Sequence, residues 1–203
     1  MSETITFYHN PMSRGRIAHW MLEEVGASYE TKILDWEKRE HKSPEYLAIN
    51  PMGKIPTIVH RGVVVTEVAA ILAYLADAFP AAGLAPAHDD PQRGTYYRWL
   101  FFAAGCVETA MLDKSLGREI PADKKGAVGY GSYEDTMAAV EQAIAPGFVL
   151  GDRFSAADLY LGSQLGYGLM FKMIEPTPSI TAYVERGRAR PAFQRVMAAF
   201  PPR

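Results

Sequence analysis

One cysteine, Cys106, is all that 203 residues contain. An intrachain disulfide and a cysteine metal cluster are thereby excluded. Charge is equally sparse in one respect: the formal net value is −2. No bulk basic field is available to recruit nucleic acid or an anionic membrane surface. No apolar window reaches membrane-spanning length, and the opening MSETITFYHN has neither the cationic start nor the apolar run of a signal peptide. A soluble cytoplasmic protein is the expectation. Internal repeats and low-complexity tracts are missing too. What is present is an ordinary globular balance, 48% hydrophobic and 22% charged, in a length suited to two small domains or one large one.

The first 80 residues alternate strand and helix signals. ITFY (5–8) reads as a short buried strand. Ile17, Ala18, Met21, Leu22 and Val25 then fall on one helical stripe that ends at Gly26, a C-cap. SYETKIL (28–34) predicts a second strand, and SPEYLAIN (43–50) a short helix with Ser43 as N-cap and Pro44 at its first position. PTIV (56–59), the turn Arg61-Gly62 and VVVT (63–66) form a hairpin signal. Val68, Ile71, Leu72, Leu75 and Phe79 share one face of a helix over 67–79. The order β-α-β-α-β-β-α implies a small sheet covered by helices, with a parallel pair at the start and an antiparallel end. PAAGLAPAHDDP (80–91) reads as a linker, so the expected domains are 1–80 and 92–203 with a linker over 81–91. The second domain shows no strand. It predicts one long helix over 93–116, an irregular connection over 117–132, and helices over 133–145, 155–172, 179–189 and 191–200.

Several stretches carry chemistry or capping signals. In FSAADLYLG (154–162), Ser155 and Asp158 have the spacing of a capping box, with Phe154 and Leu159 placed as a hydrophobic staple. NPMGKIPTIV (50–59) puts Pro56 at the mouth of a strand. That is either a plain edge-strand proline or a cis Ile55-Pro56 bond that turns the Ile55 backbone outward toward an extended ligand. Glu67 begins a helix directly after a strand. It serves either as a dipole partner or as the seat of a ligand ammonium, the helix N–H groups then taking that ligand's carboxylate. His41 and Lys42 read as surface charge before a short helix. Cys106 lies in an apolar helix without a cationic neighbour, the setting of an inert thiol. His19 and His60 have no metal-ligand spacing to each other. FYHNPMSRGRIAHW (7–20) sets a hydroxyl and two cations where a strand gives way to a helix, a natural seat for an anion.

Together, NPMGKIPTIV, VTEVAAILAYLADAFP and FSAADLYLG, with RGTYYRWLFFAAG, resemble the cytosolic glutathione transferase family over nearly the whole chain. The resemblance implies a thioredoxin-like first domain that binds glutathione and an all-helical second domain that lines an acceptor pocket, the class being that of α/β plus all-α. It implies that Ile55, before a cis Pro56, pairs through its backbone with the cysteinyl part of glutathione. Glu67 corresponds to the acid that recognises the γ-glutamyl group. Val68 stands where the family usually has Ser or Thr, so a backbone N–H survives and a hydroxyl hydrogen bond, worth about 1 kcal/mol, does not. His41 stands in the region where some classes hold the glycyl carboxylate, with Lys54 or Lys42 assisting. A C2 homodimer is implied beside the helix 67–79, whose small face is Ala69, Ala73 and Ala76. Glutathione is the cosubstrate, and no metal, nucleic acid or membrane is implied.

The activity so implied is conjugation of glutathione to small hydrophobic electrophiles, as in detoxification. Glutathione-dependent isomerisation, peroxide or disulfide reduction, and a non-catalytic binding module are the alternatives. A free thiol has a pKa of about 8.5, and lowering it by about 2 units takes about 2.7 kcal/mol. One hydrogen bond to a charged group supplies roughly 1.5–3 kcal/mol, and a helix N-terminus roughly 0.3–1 more. A single donor in the first bend therefore suffices. Ser13 ranks first, Tyr8 at the strand end second and Asn10 third, while Arg14 and Arg16 add positive potential, or Arg16 is simply a packing or ion-pair residue. Chain order places the acceptor site at Phe102, Gly105, Glu108 and Met111.

Overall fold

A computed structural model describes residues 3–199. Among them the chain divides into two compact units, one running to Gly83 and taking back the segment from Pro191, the other being Leu84–Arg190. The expected assignment of 92–203 to a single helical domain is corrected by this return of the last helix.

The first unit is built on strands β1 (Ile5–His9), β2 (Tyr29–Ile33), β3 (Thr57–His60) and β4 (Val63–Thr66) in the order β2-β1-β3-β4. β1 and β2 are parallel, whereas β3 is antiparallel to both β1 and β4. The hairpin turns through Arg61 and Gly62 at φ 52° and 81°, the left-handed pair that matches strand twist. Alternation along β1 puts Ile5, Phe7 and His9 on a buried face. Helices α1 (Gly15–Val25) and α3 (Val68–Ala78) pack against each other, and the Phe7 ring lies 5.9 Å from that of His19 on α1. The opposite face of β1 carries Tyr8, whose ring lies 5.4 Å from that of Tyr46 on the short helix α2 (Pro44–Leu47). α2 starts as its sequence predicts, with the Ser43 hydroxyl accepting the Tyr46 N–H and Pro44 in the first turn. Ala69 and Ala76 of α3 are buried within the chain, so the small-residue stripe is not a free face.

The last helix, α9 (Pro191–Ala199), packs on α1; Phe200, the end of the expected helix, lies outside the described residues. Phe193 meets Trp20 edge-on at 5.0 Å. Arg195 donates from Nε to Glu23 Oε2 at 2.6 Å. Glu23 Oε1 accepts the Tyr29 hydroxyl at 2.6 Å, and that hydroxyl lies 2.8 Å from His19 Nε2. The His19 ring in turn sits 5.7 Å from that of His9. A polar chain therefore runs from the C-terminal helix, through α1, to the end of β1. Side chains far apart in sequence make it, and hydrophobic periodicity carries no trace of it.

In the second unit, the long helix expected over 93–116 is α4 (Arg93–Phe102), a π-helical segment Ala103–Val107, and α5 (Glu108–Ser115). One π turn changes the apolar spacing too little to read from sequence. After an irregular stretch come α6 (Tyr133–Ile144), α7 (Ala156–Met170) and α8 (Pro178–Arg188). α7 is apolar on most of its circumference and forms the centre of this unit, packing on α4 and α8. Its capping box is present. Asp158 Oδ2 accepts the Ser155 N–H at 2.9 Å and hydroxyl at 2.7 Å, while Oδ1 accepts the Val149 N–H at 2.8 Å and the Tyr183 hydroxyl at 2.9 Å. One carboxylate thus ties the loop before α7 to α8.

Two predictions follow from this packing. Asp158→Ala strands four buried donors, so thermal or denaturant unfolding should record a loss of at least about 3 kcal/mol. His9 is fully buried, and burial, with His19 and Arg16 adding repulsion, lowers its pKa to about 3. It is neutral in the fold but takes a proton in the unfolded chain below about pH 6.5. Its contribution to stability is therefore complete above that pH and is lost progressively toward pH 3, by about 1.4 kcal/mol per pH unit. Denaturation profiles between pH 6.5 and 5 should be flatter for His9→Asn than for the unsubstituted chain, whatever the absolute stabilities.

Candidate active site

Sheet register gathers the site. Tyr8 pairs with Thr57, and Thr57 pairs with Thr66. The C-terminal ends of β1 and β4 and the N-terminal end of β3 therefore lie side by side. Residues just beyond them, namely 10–16, 55–56 and 67–68, emerge at one end of the sheet, where α1 and α3 also begin.

The bend between β1 and α1 is braced by its own side chains. Asn10 donates from Nδ2 to Leu34 O at 2.9 Å, and its Oδ1 accepts the Met12 N–H at 2.8 Å. Arg16 donates from Nε to Pro11 O at 2.5 Å, which gives this cation a structural task that its sequence position did not disclose. The Ser13 hydroxyl donates to Asn10 O at 2.6 Å and accepts the Gly15 N–H at 2.9 Å. Gly15 is required here, because a Cβ would stand 2.3 Å from His9 Nδ1. Of the three candidate thiol activators, Ser13 and Asn10 thus already serve the turn, and the Tyr8 hydroxyl has no hydrogen-bond partner among the described residues.

The Ile55-Pro56 bond is cis. Pro56 is buried and β3 begins only at Thr57, so the Ile55 N–H and C=O have no partner among the described residues. Beneath them lies a polar cluster that the sequence reading missed. The Tyr46 hydroxyl is 2.6 Å from Lys54 O and 2.8 Å from Thr57 Oγ1, and Asn50 Nδ2 is 2.9 Å from Lys54 O and 3.3 Å from Thr57 Oγ1. All three side chains are buried. The four-residue spacing of Tyr46 and Asn50 was visible, but only the folded loop brings Thr57 and Lys54 to them.

Glu67 occupies the N-cap position of α3 with φ 64° and ψ 125°, a left-handed backbone costly for a residue with a Cβ. Its side chain is exposed, does not cap the helix and has no partner among the described residues. Val68, which follows, is buried and leaves its N–H at the uncapped start of α3. A carboxylate beside uncapped helix N–H groups is complementary to an ammonium beside a carboxylate. His41 is half-buried, and Lys54 is exposed near this loop. Lys42 is committed elsewhere, donating from Nζ to Met52 O at 2.8 Å.

The acceptor-site candidates belong to the helical unit. Glu108 accepts from Gln164 Nε2 at 2.6 Å and is turned toward α7. Met111 is buried, and its sulfur would lie 2.9 Å from a Cβ at Gly168. Phe102 is half-buried with its ring 5.2 Å from that of Trp99, while Gly105 is exposed in the π segment. Cys106 is half-buried beside Gly129 O, and burial raises its thiol pKa.

Residues 3–77 match the family model described as glutathione S-transferase, N-terminal domain. A maleylacetoacetate isomerase of Pseudomonas aeruginosa is 32% identical over 213 aligned positions, covering 97% of this chain and 96% of that protein. The crystal structure of a glutathione transferase from Methylococcus capsulatus superimposes with a TM-score of 0.78 at 32% identity, covering 96% of this chain and 98% of the other. A glutathione transferase homologue from Sulfitobacter, solved with bound glutathione, gives a TM-score of 0.74 at 26% identity over 98% of this chain and 99% of its own. With the cis proline, the strained acid and the sheet end that joins them, these likenesses place the chain in the glutathione transferase family.

Proposed function

We propose that the protein binds glutathione at the sheet end and activates its thiol for attack on small hydrophobic electrophiles. The observation that carries this reading is the juxtaposition, set by strand register, of an unpartnered Ile55 backbone with an exposed, unpartnered Glu67 at the start of α3. An extended peptide with an amino-acid headgroup matches both: the Ile55 N–H and C=O pair with its backbone. Glu67 takes the γ-glutamyl ammonium and the Val68 N–H its carboxylate. His41 and Lys54 hold the glycyl carboxylate.

Ser13 is the thiol activator in this reading. Its hydroxyl accepts the Gly15 N–H, which polarises the O–H, and turning that proton from Asn10 O to a thiolate exchanges a neutral acceptor for a charged one. The thiolate forms a C–S bond to the electrophilic carbon. In substitution the leaving group departs with the bonding electron pair; in addition the carbanion takes a proton. Tyr8 and Asn10 are the second and third activators, and Phe102, Gly105, Glu108 and Met111 remain the acceptor-side candidates. The same reading includes detoxification in the cytoplasm by a homodimer, for which exposed Val63 and Val64 on the outer strand β4 supply apolar surface. A second reading, glutathione as cofactor for an isomerisation, is favoured by the name of the Pseudomonas relative. Net consumption of glutathione separates the two.

Titrating the thiolate absorbance of bound glutathione tests the activator. Ser13→Ala should raise the bound thiol pKa by about 1–2 units. An unchanged value in Ser13→Ala with a raised one in Tyr8→Phe moves the role to Tyr8. Calorimetry on Glu67→Gln should show glutathione binding weakened about 10- to 100-fold, the loss of one charge-assisted contact. An analogue without the amino group should not distinguish that variant from the unsubstituted chain.

A further inference from the structure

We propose that Tyr46 is a positioning residue that aims the Ile55 N–H at the ligand; the inference rests on the glutathione reading above. Its basis is the direction of each proton in the buried cluster beneath the loop. Lys54 O accepts only, so the single Tyr46 O–H, 2.6 Å away, donates to it. The Tyr46 oxygen is then left to accept from the Thr57 hydroxyl at 2.8 Å. One Asn50 amide proton goes to Lys54 O at 2.9 Å and the other toward Thr57 Oγ1 at 3.3 Å. The ring of donors closes without a free choice, and both of its ends fall on the same carbonyl.

That carbonyl shares a peptide unit with the Ile55 N–H. The Lys54–Ile55 bond is trans, so its C=O and N–H point in opposite directions across one plane. Two donors drawing the C=O inward therefore hold the N–H outward, where it has no partner among the described residues. Tyr46 is buried and anchored at both its ring, 5.4 Å from that of Tyr8, and its hydroxyl. Without the hydroxyl, Asn50 alone restrains the peptide plane, and the N–H samples other directions before a ligand arrives.

Equilibrium binding of glutathione, and of its thioamide analogue with sulfur in place of the cysteinyl carbonyl oxygen, tests this. Tyr46→Phe should raise the Kd and KM for glutathione about 5- to 10-fold, the effect of one hydrogen bond, with kcat at saturation changed less than about twofold. Against the thioamide, a weak acceptor, the same substitution should change Kd less than about twofold. Tyr183→Phe, which removes a buried hydroxyl in the other unit, should lower the Tm and leave the Kd for glutathione unaltered. In the unsubstituted chain, the Ile55 amide should exchange freely with solvent and become protected by glutathione. An unchanged Kd in Tyr46→Phe, an equal loss for both ligands, or an Ile55 amide already protected in the free protein overturns the role of Tyr46. Failure of the unsubstituted chain to bind glutathione overturns the glutathione reading, and this inference with it.

Discussion

Pairing of β3 with β1 on one side and β4 on the other is the constraint from which the rest of the first unit takes its shape. Strand hydrogen bonds fix register to the residue, and register decides which chain segments leave the sheet together. Because Thr57 is opposite both Tyr8 and Thr66, the bend after β1, the cis proline before β3 and the acid after β4 share one end of the sheet. A slip of one residue would send Tyr8 to the α1 face and His9 to the α2 face. A slip of β3 against β4 would separate Ile55 from Glu67. The tight Arg61-Gly62 turn pins that register from the other end of the hairpin.

Around this frame the protein satisfies polar groups that its architecture forces inside. Thr57 and Asn50 are buried by the loop that starts β3, and they carry the Tyr46 hydroxyl and the Lys54 carbonyl with them. Asp158 does the equivalent work in the helical unit with four donors from three segments. Burial alone pushes Glu23 up, yet the Arg195 and Tyr29 hydrogen bonds outweigh it and hold the carboxyl below its ordinary value. The helix that closes the chain is thus bound to α1 by an ion pair as well as by Phe193 on Trp20. At the sheet end, the Ile55 backbone and the Glu67 carboxylate have no partner among the described residues, and this is the surface that the proposed function assigns to the ligand.

Much of the candidate site was legible before folding. Pro56 after Ile55 and Glu67 after a β-branched strand were visible as residues, but spacing left each with two readings, and the family resemblance chose between them. Ser155 and Asp158 were plainer, since a capping box is made within four residues. Arg16 was not: its partner is the Pro11 carbonyl, and nothing in RGR distinguishes a brace from a ligand-facing cation. Nor were Glu108 and Met111, whose distance from the surface depends on how α7 packs against the π segment.

Local sequence determined the elements, their caps and their order, since each is decided by contacts a few residues apart. It also determined which residue types stand at the strand ends. Tertiary structure alone decided two things: the return of α9 to the first unit and the hydrogen bonds that join Tyr46, Asn50 and Thr57. The reason is physical. A hydrogen bond is won or lost over a few tenths of an ångström and a few tens of degrees. Such distances between remote residues exist only after the chain has closed on itself.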